Sequence, residues 1–247
     1  RILANLQGFG AELLSPNDAR TEPCPKDGVL PEGFYSTTNL PTQVRVGGIW
    51  VDVAHTEMDL AIVVDKQAGS AASVSIGDVR RGDQVVVGHS GIRVIPLERE
   101  RGREEFSFMQ SSVSSERSKK IAIAAIAQEM RETRERGARI AFVVGPAVIH
   151  SGAGPYLAAM VRAGYVQALF GGNAIATHDV ESVLFGTSLG LSLSNGIAVE
   201  GGHQNHMRAI NAIRGVGSLR EAVEQGLLTR GLMHECIVNG VELVLAG

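Results

Sequence analysis

Three glycine-rich segments of this sequence carry the side chains best suited to hold a ligand or move a proton. The first is Gly145-Pro146-Ala147-Val148-Ile149-His150-Ser151-Gly152-Ala153-Gly154, which runs into a helix start at Pro155. Its Gly152-x-Gly154 lets backbone N–H groups approach a phosphate at a helix N-terminus. Leu157 at the third glycine position leaves G-x-G-x-x-G incomplete, and an ordinary helix-entry turn has the same spelling. The second is Gly171-Gly172-Asn173-Ala174, followed by His178-Asp179-Val180-Glu181-Ser182. Two glycines clear side chains from the place where a ligand lies against the backbone, and Asn173 offers both a donor and an acceptor. Asn173 acting as a helix N-cap accounts for the same residues without a ligand. The third is Glu200-Gly201-Gly202-His203-x-x-His206, with Asn211 beyond it. On a helix His203 and His206 share one face, which suits a histidine-lined pocket or a pair of structural histidines. A metal site would recruit Glu200 or His178, but without H-E-x-x-H or a cysteine pair no metal is expected. His150 and Ser151 are adjacent, which makes no triad, and no G-x-S-x-G is present. Cys236 sits in a helical pattern and reads as a small core residue. Cys24, in a Pro-rich stretch, reads as an exposed linker thiol.

The elements that must position these residues change character along the chain. Residues 1–27 read as the end of an upstream element and a linker. Residues 28–112 read as a small β-barrel-like domain. Val44-x-Val46 and Ile49-x-Val51-x-Val53 flank Gly47-Gly48, a type I′ hairpin signal, because both central positions need positive φ. Further strands are expected at Leu60–Val64, Gln84–Val87 and Ile92–Ile95. The mixed charge run Glu98–Glu105 reads as a solvated connector. From residue 113 the pattern becomes α/β. A helix capped by Ser115 or Ser118 turns Ile123, Ile126, Ala127 and Met130 inward and closes at Gly137. Buried strands at Ile140–Val144, Val166–Phe170 and Val241–Leu245 alternate with helices at Pro155–Ala163, Ala174–Leu184 and His206–Arg214. Ser218-x-x-Glu221 is a capping box for one more helix. Three strands are few for a nucleotide-binding sheet, so residues 113–247 read as an incomplete nucleotide-binding domain, truncated at its C-terminus, and an open sheet edge predicts a homo-oligomer.

Composition narrows the function classes. Of 247 residues 44% are hydrophobic, 20% charged and 4% aromatic, which describes a packed protein with an aliphatic core. A net charge of −3 and a pI near 6.2 leave no electrostatic footprint for nucleic acid or an anionic membrane. The apolar run Ile121–Ala127 is too short to span a bilayer, and no signal-peptide pattern opens the chain. Two cysteines without a framework fit a reducing cytoplasm.

Several long motifs also carry a resemblance. They are Pro31-Glu32-Gly33-Phe34-Tyr35-Ser36-Thr37-Thr38-Asn39, Val144-Gly145-Pro146-Ala147-Val148-Ile149-His150 and Gly172-Asn173-Ala174-Ile175-Ala176-Thr177-His178-Asp179-Val180-Glu181. Glu200-Gly201-Gly202-His203-Gln204-Asn205-His206 and Val244-Leu245-Ala246-Gly247 complete them. Together the sequence resembles the archaeal-type NAD-dependent ornithine cyclodeaminases. That family includes the C-terminal portion of bifunctional arginine dihydrolase/ornithine cyclodeaminase, and its conserved region is also labelled lysine-oxoglutarate reductase/saccharopine dehydrogenase. The resemblance implies a β-barrel-like domain followed by a nucleotide-binding domain similar to that of deoxyhypusine synthase. It also implies an upstream domain, of which residues 1–14 are the end, and further NAD contacts after Gly247. It places NAD at Asn173 and Ala174, to which the glycine spacing read above adds Gly172, Gly152 and Gly154 as backbone positions for the cofactor. The implied reaction turns L-ornithine into L-proline and ammonia, with NAD taking a hydride and giving it back. Candidates for binding the ammonium groups are Asp179 and Glu181; candidates for handling protons are His203 and His206. A related NAD-dependent amino-acid dehydrogenase acting on lysine or a saccharopine-like substrate, or a non-catalytic NAD-binding module, are the competing readings.

Overall fold

The computed structural model describes residues 17–95, 119–189, 191–192 and 202–246, leaving aside the side chains of 119–121, 191–192 and 203. The chain divides into two compact units, Arg1–Glu98 and Arg99–Gly247. The boundary expected at 112/113, the charge run and the Ser115/Ser118 cap lie outside the described residues.

The first unit is one seven-stranded sheet. Its strands are β1 (Thr21–Pro23), β2 (Thr42–Val46), β3 (Ile49–Ala54), β4 (Ala61–Asp65), β5 (Ser70–Val74), β6 (Gln84–Val86) and β7 (Ile92–Val94). Their order is β1-β6-β4-β5-β3-β2-β7, antiparallel except where β3 runs parallel to β5. The Gly47-Gly48 hairpin forms as expected: Val46 pairs with Ile49, and the glycines sit at φ +58° and +82°. The sheet curls until its ends meet. Ala19, just before β1, donates its N–H to Arg45 of β2 at 2.8 Å. Gly91, just before β7, lies so close that a Cβ there would stand 2.3 Å from the Ala19 nitrogen. Val44, Val53, Ile62, Val64 and Val86 fill the inside.

Two expectations fail in this unit. Residues 17–27 are not a loose linker, because β1 pairs with β6 from Thr21↔Val86 to Pro23↔Gln84. Cys24 is consequently buried rather than exposed, exchanging backbone hydrogen bonds with Gly82 and Asp83, and burial followed by the Asp83 charge pushes its thiol up to about 11. Strand β5 was also not foreseen. Ser-Ala-Ala-Ser-Val carries little β-branched signal, yet it pairs with β4 along its whole length and buries Ala71 and Ser73.

The second unit is built on a parallel sheet of β8 (Ala141–Val144), β9 (Ala168–Gly172) and β12 (Glu242–Ala246) in the order β12-β9-β8, with a two-stranded ribbon of β10 (Thr187–Ser188) and β11 (Leu191–Ser192). Its helices are α1 (Lys119–Glu135), α2 (Ala147–His150), α3 (Gly154–Arg162), α4 (Asn173–Phe185), α5 (Asn205–Val216), α6 (Leu219–Glu224) and α7 (Leu232–Val238). Gly164 and Gly186, at φ +75° and +68°, mark the ends of α3 and α4. The predicted capping box opens α6: the Glu221 N–H donates to Ser218 Oγ at 3.1 Å. Helix α5 runs through Gly215 instead of stopping there, and ends at Gly217.

The core lies on one face of this sheet. Leu169, Ile175, Val180, Leu232, Met233 and Cys236 pack there, and burial pushes the Cys236 thiol up to about 12. The strands are therefore not covered on both faces by the described residues. Val143, Phe170 and Val244 align in one cross-strand row on the other face, and Val143 is 85% exposed. The face of α1 expected to turn inward is also open, with Ile123 at 64% and Ile126 at 57% exposure. An apolar stripe states a need for cover and does not supply it. No described helix is long and apolar enough to cross a membrane.

Candidate active site

Parallel strands leave the carboxyl ends of β8, β9 and β12 on one edge, where α/β sheets receive ligands. At β9 that edge is made of glycine for a packing reason. A Cβ on Gly171 would lie 2.9 Å from Ile175 Cγ2 and 3.1 Å from the Val144 carbonyl, so the strand and α4 can close only on a bare backbone. Gly172, in extended conformation, occupies the N-cap position of α4, and no side chain caps that end. Asn173 is the first helical residue, so the N-cap role considered for it belongs to Gly172. Gly172, Asn173 and Ala174 are all exposed. The first turn contains no acidic residue, which leaves a helix N-terminus suited to an anion. Asn173 also borders a cavity of about 230 Å³ with Ala176, Thr177, Ile213 and Arg214.

Gly152 and Gly154 do not join this edge. They border a separate cavity of about 430 Å³ with Asp179, Ser182 and Arg230, beside the second half of α4. Asp179 ties two helices together. Its carboxylate reaches from α4 to the start of α7 and accepts the N–H of Leu232 at 2.9 Å and of Met233 at 2.8 Å. It thus caps a helix that has only Gly231 before it. Gly231, at φ +99°, makes room, since a Cβ there would stand 2.9 Å from Asp179 Oδ2. Burial raises the Asp179 carboxyl above its ordinary range, against the pull of these two N–H groups and of His234. Each oxygen thus accepts one backbone N–H, and the same carboxylate borders the larger cavity.

Glu181, the other carboxylate candidate, is completely buried within a polar cluster assembled from α2, α4, β10 and α5. His178 Nδ1 is 2.8 Å from Glu181 Oε2, and Thr187 Oγ1 donates to Glu181 Oε1 at 2.8 Å. Asn205 Nδ2 donates to Thr187 Oγ1 at 2.9 Å. His150 Nδ1 and Ser188 Oγ are 2.6 Å apart. The rings of His150 and His178 meet edge to face with centroids 4.6 Å apart, and His206 lies 6.5 Å from His178. Gly186 is what allows this, because its left-handed turn ends α4 and brings Thr187 and Ser188 back. Burial, then the neighbouring His178, hold His150 below the ordinary imidazole range, against a smaller opposing pull from Glu181. His206 lies beside this cluster, whereas His203 occupies the 3-10 turn Gly202–Gln204 and its side chain lies outside the described residues. Glu200 and Gly201 also lie outside them. His150, Thr187, Ser188 and Asn205 were not foreseen in this role. The one local signal was the three-residue spacing of His178 and Glu181, which puts them side by side on a helix. Among the described residues no three metal-capable side chains are grouped to hold an ion.

Residues 124–247 match the family model described as arginine dihydrolase ArgZ-like, C-terminal, Rossmann fold. The chain belongs to that family. Residues 41–123 match the first region of the same C-terminal portion, and residues 1–40 the conserved region of the LOR/SDH bifunctional enzyme. Ornithine cyclodeaminase of Methanocaldococcus jannaschii is 52% identical over 252 residues, which is all of this chain and 60% of the relative. The bifunctional arginine dihydrolase/ornithine cyclodeaminase AgrE of Nostoc is 43% identical, over all of this chain and 36% of its own. The structure of AgrE in ternary complex with ornithine and NAD⁺ superposes with a TM-score of 0.82 at 41% identity, covering 96% of this chain and 33% of that one. The chain thus spans about 60% of the length of the archaeal family members it matches. The Rossmann assignment agrees with the parallel sheet and its ligand edge, and the curled mixed sheet precedes it as the β-barrel-like expectation requires.

Proposed function

We propose that the chain is the NAD-binding part of an ornithine cyclodeaminase, which converts L-ornithine to L-proline and ammonia. The observation that carries this reading is the likeness, over 96% of the chain, to AgrE holding ornithine and NAD⁺. The residues fit the cofactor. An uncapped α4 N-terminus without acidic neighbours suits a pyrophosphate, and the bare Gly171-Gly172 backbone admits close approach. Asn173 supplies an amide and Ala174 a backbone N–H at the same edge. Bound NAD supplies a hydride acceptor that becomes the donor later in the same turnover. The chain's own task is then to orient the substrate amines and move their protons. The histidines of the α4 cluster are the described groups able to move protons, with Glu181 buried behind His178.

The full-length protein incubated with L-ornithine and NAD is expected to release proline and ammonia in equal amounts with no net NADH. Net NADH from ornithine or lysine would replace this reading by an amino-acid dehydrogenase. NAD binding with no turnover of either would leave a binding module.

A further inference from the structure

Resting on the cyclodeaminase reading, we propose that His178 is the proton-transfer residue of the reaction and that Glu181, Thr187 and Asn205 position it. Helix geometry sets the frame. Ala174, His178 and Glu181 are spaced i, i+4 and i+7, so they form one stripe along α4. Ala174 lies exposed at the ligand edge, His178 one turn below it, and Glu181 a further turn down where no solvent reaches.

The hydrogen bonds then determine which imidazole nitrogen is basic. Glu181 receives Thr187 on Oε1, and Thr187 in turn receives Asn205, so the remaining oxygen Oε2 faces His178 Nδ1 as an acceptor. Nδ1 must carry the hydrogen in that contact, which leaves Nε2 with the lone pair. Nε2 makes no hydrogen bond within the described residues and is not one of their sealed, unsatisfied atoms. The charged and titratable groups that face the ring among the described residues are Glu181 on its own helix, His150 from α2 and His206 from α5. Burial and His178 itself disfavour the charged form of His150. A base oriented by a third group is the arrangement that acid–base catalysis needs.

The chemistry balances. Nε2 takes a proton from the α-ammonium of ornithine, and the N–H electron pair stays on nitrogen. That pair forms the C=N bond as hydride leaves Cα for NAD⁺. The δ-amine, having lost a proton to solvent, attacks the imine carbon. The ring nitrogen, cationic after the attack, gives a proton to solvent. Its freed pair forms the ring C=N bond as His178 returns its proton to the α-amine, which leaves as ammonia with the C–N pair. The ring carbon takes the hydride back, and the two protons that solvent received return to the proline nitrogen and to ammonia. Ornithinium becomes proline and ammonium, and His178 ends as it began.

The test uses the full-length protein. His178→Asn keeps a donor to Glu181 but removes Nε2, and is expected to lower kcat about 10²–10⁴-fold with the ornithine KM within threefold. Glu181→Gln removes the charge at nearly constant shape. It is expected to lower kcat about 10–100-fold and to move the acid limb of the pH profile to lower pH. Histidine C2–H exchange followed by mass spectrometry, which needs no turnover, should show the His178 midpoint moving the same way. Thr187→Val removes a donor from Glu181 and leaves more of its charge to His178. It should move both in the opposite direction by less, and serves where Glu181→Gln fails to fold. An active His178→Asn enzyme would overturn the proposal. So would an unmoved limb and midpoint with only a lower Tm, which is what a structural tie predicts. A wild-type protein that forms no proline would overturn the cyclodeaminase reading on which the role rests, while the exchange midpoints would still report whether Glu181 controls His178.

Discussion

Asn173 and His150 show how single side chains acquire opposite meanings from their surroundings. Asn173 stands exposed at the first helical position, and the N-cap position beside it belongs to Gly172. Asn173→Ala is therefore expected to weaken NAD binding by about 1–2 kcal/mol, the scale of a lost hydrogen bond, with Tm essentially unchanged. Isothermal titration beside a melting curve separates this from a capping role, which would lower Tm and spare affinity. His150 is held below the ordinary imidazole range by burial and His178. Between that lowered value and about 6.5 the unfolded chain binds more protons than the folded one, so stability falls as pH drops through this window. Above it, both states are neutral at this residue and it adds no pH dependence. The Tm of His150→Asn, relative to wild type, should accordingly rise as pH is lowered from 7 to 5. A difference that stays constant would remove His150 as the source.

Helix α4 works as an element on three sides at once. One side carries Asn173 and Thr177 towards the smaller cavity, a second carries His178 and Glu181, and a third carries Asp179 to the start of α7. This explains why Asp179 and Glu181, two residues apart, do unrelated work: a two-residue step on a helix turns the side chain by about 200°. Asp179→Ala leaves two buried N–H groups of α7 without acceptors and is expected to destabilise the protein by about 2–4 kcal/mol. Chemical denaturation of that variant checks the magnitude. Hydrogen exchange should show the loss concentrated at Leu232 and Met233, and protection unchanged there would argue against the cap.

For the whole molecule, the second unit buries one face of its sheet and presents Val143, Phe170 and Val244 in a row on the other. An apolar row of this kind is a site of association. The 247-residue chain by itself is expected to self-associate with increasing concentration, and Val143→Lys is expected to reduce this without changing Tm much, because Val143 is 85% exposed. Sedimentation velocity over a hundredfold concentration range provides the check, and a monomer throughout would mean that the row is not adhesive.

Period and punctuation were enough to read much of the fold from the residues alone. The Gly47-Gly48 hairpin, the Ser218-x-x-Glu221 box and the alternation of helix and strand after residue 118 depend on neighbours within a few positions, so local rules suffice. The glycine edge before Asn173 was legible for the same reason. Strand β5, the pairing of β1 and the burial of Cys24 were not, since each depends on a partner strand tens of residues away. The histidine cluster is the clearest case. His150, His178, Thr187 and Asn205 come from four elements, and nothing in their spacing says that Gly186 turns the chain back to bring Thr187 to Glu181. Residue types determined that acid–base chemistry was available. Tertiary structure alone decided that one carboxylate caps a helix while the other sits behind a histidine, because a buried carboxylate is held by whichever donors the packing brings to it.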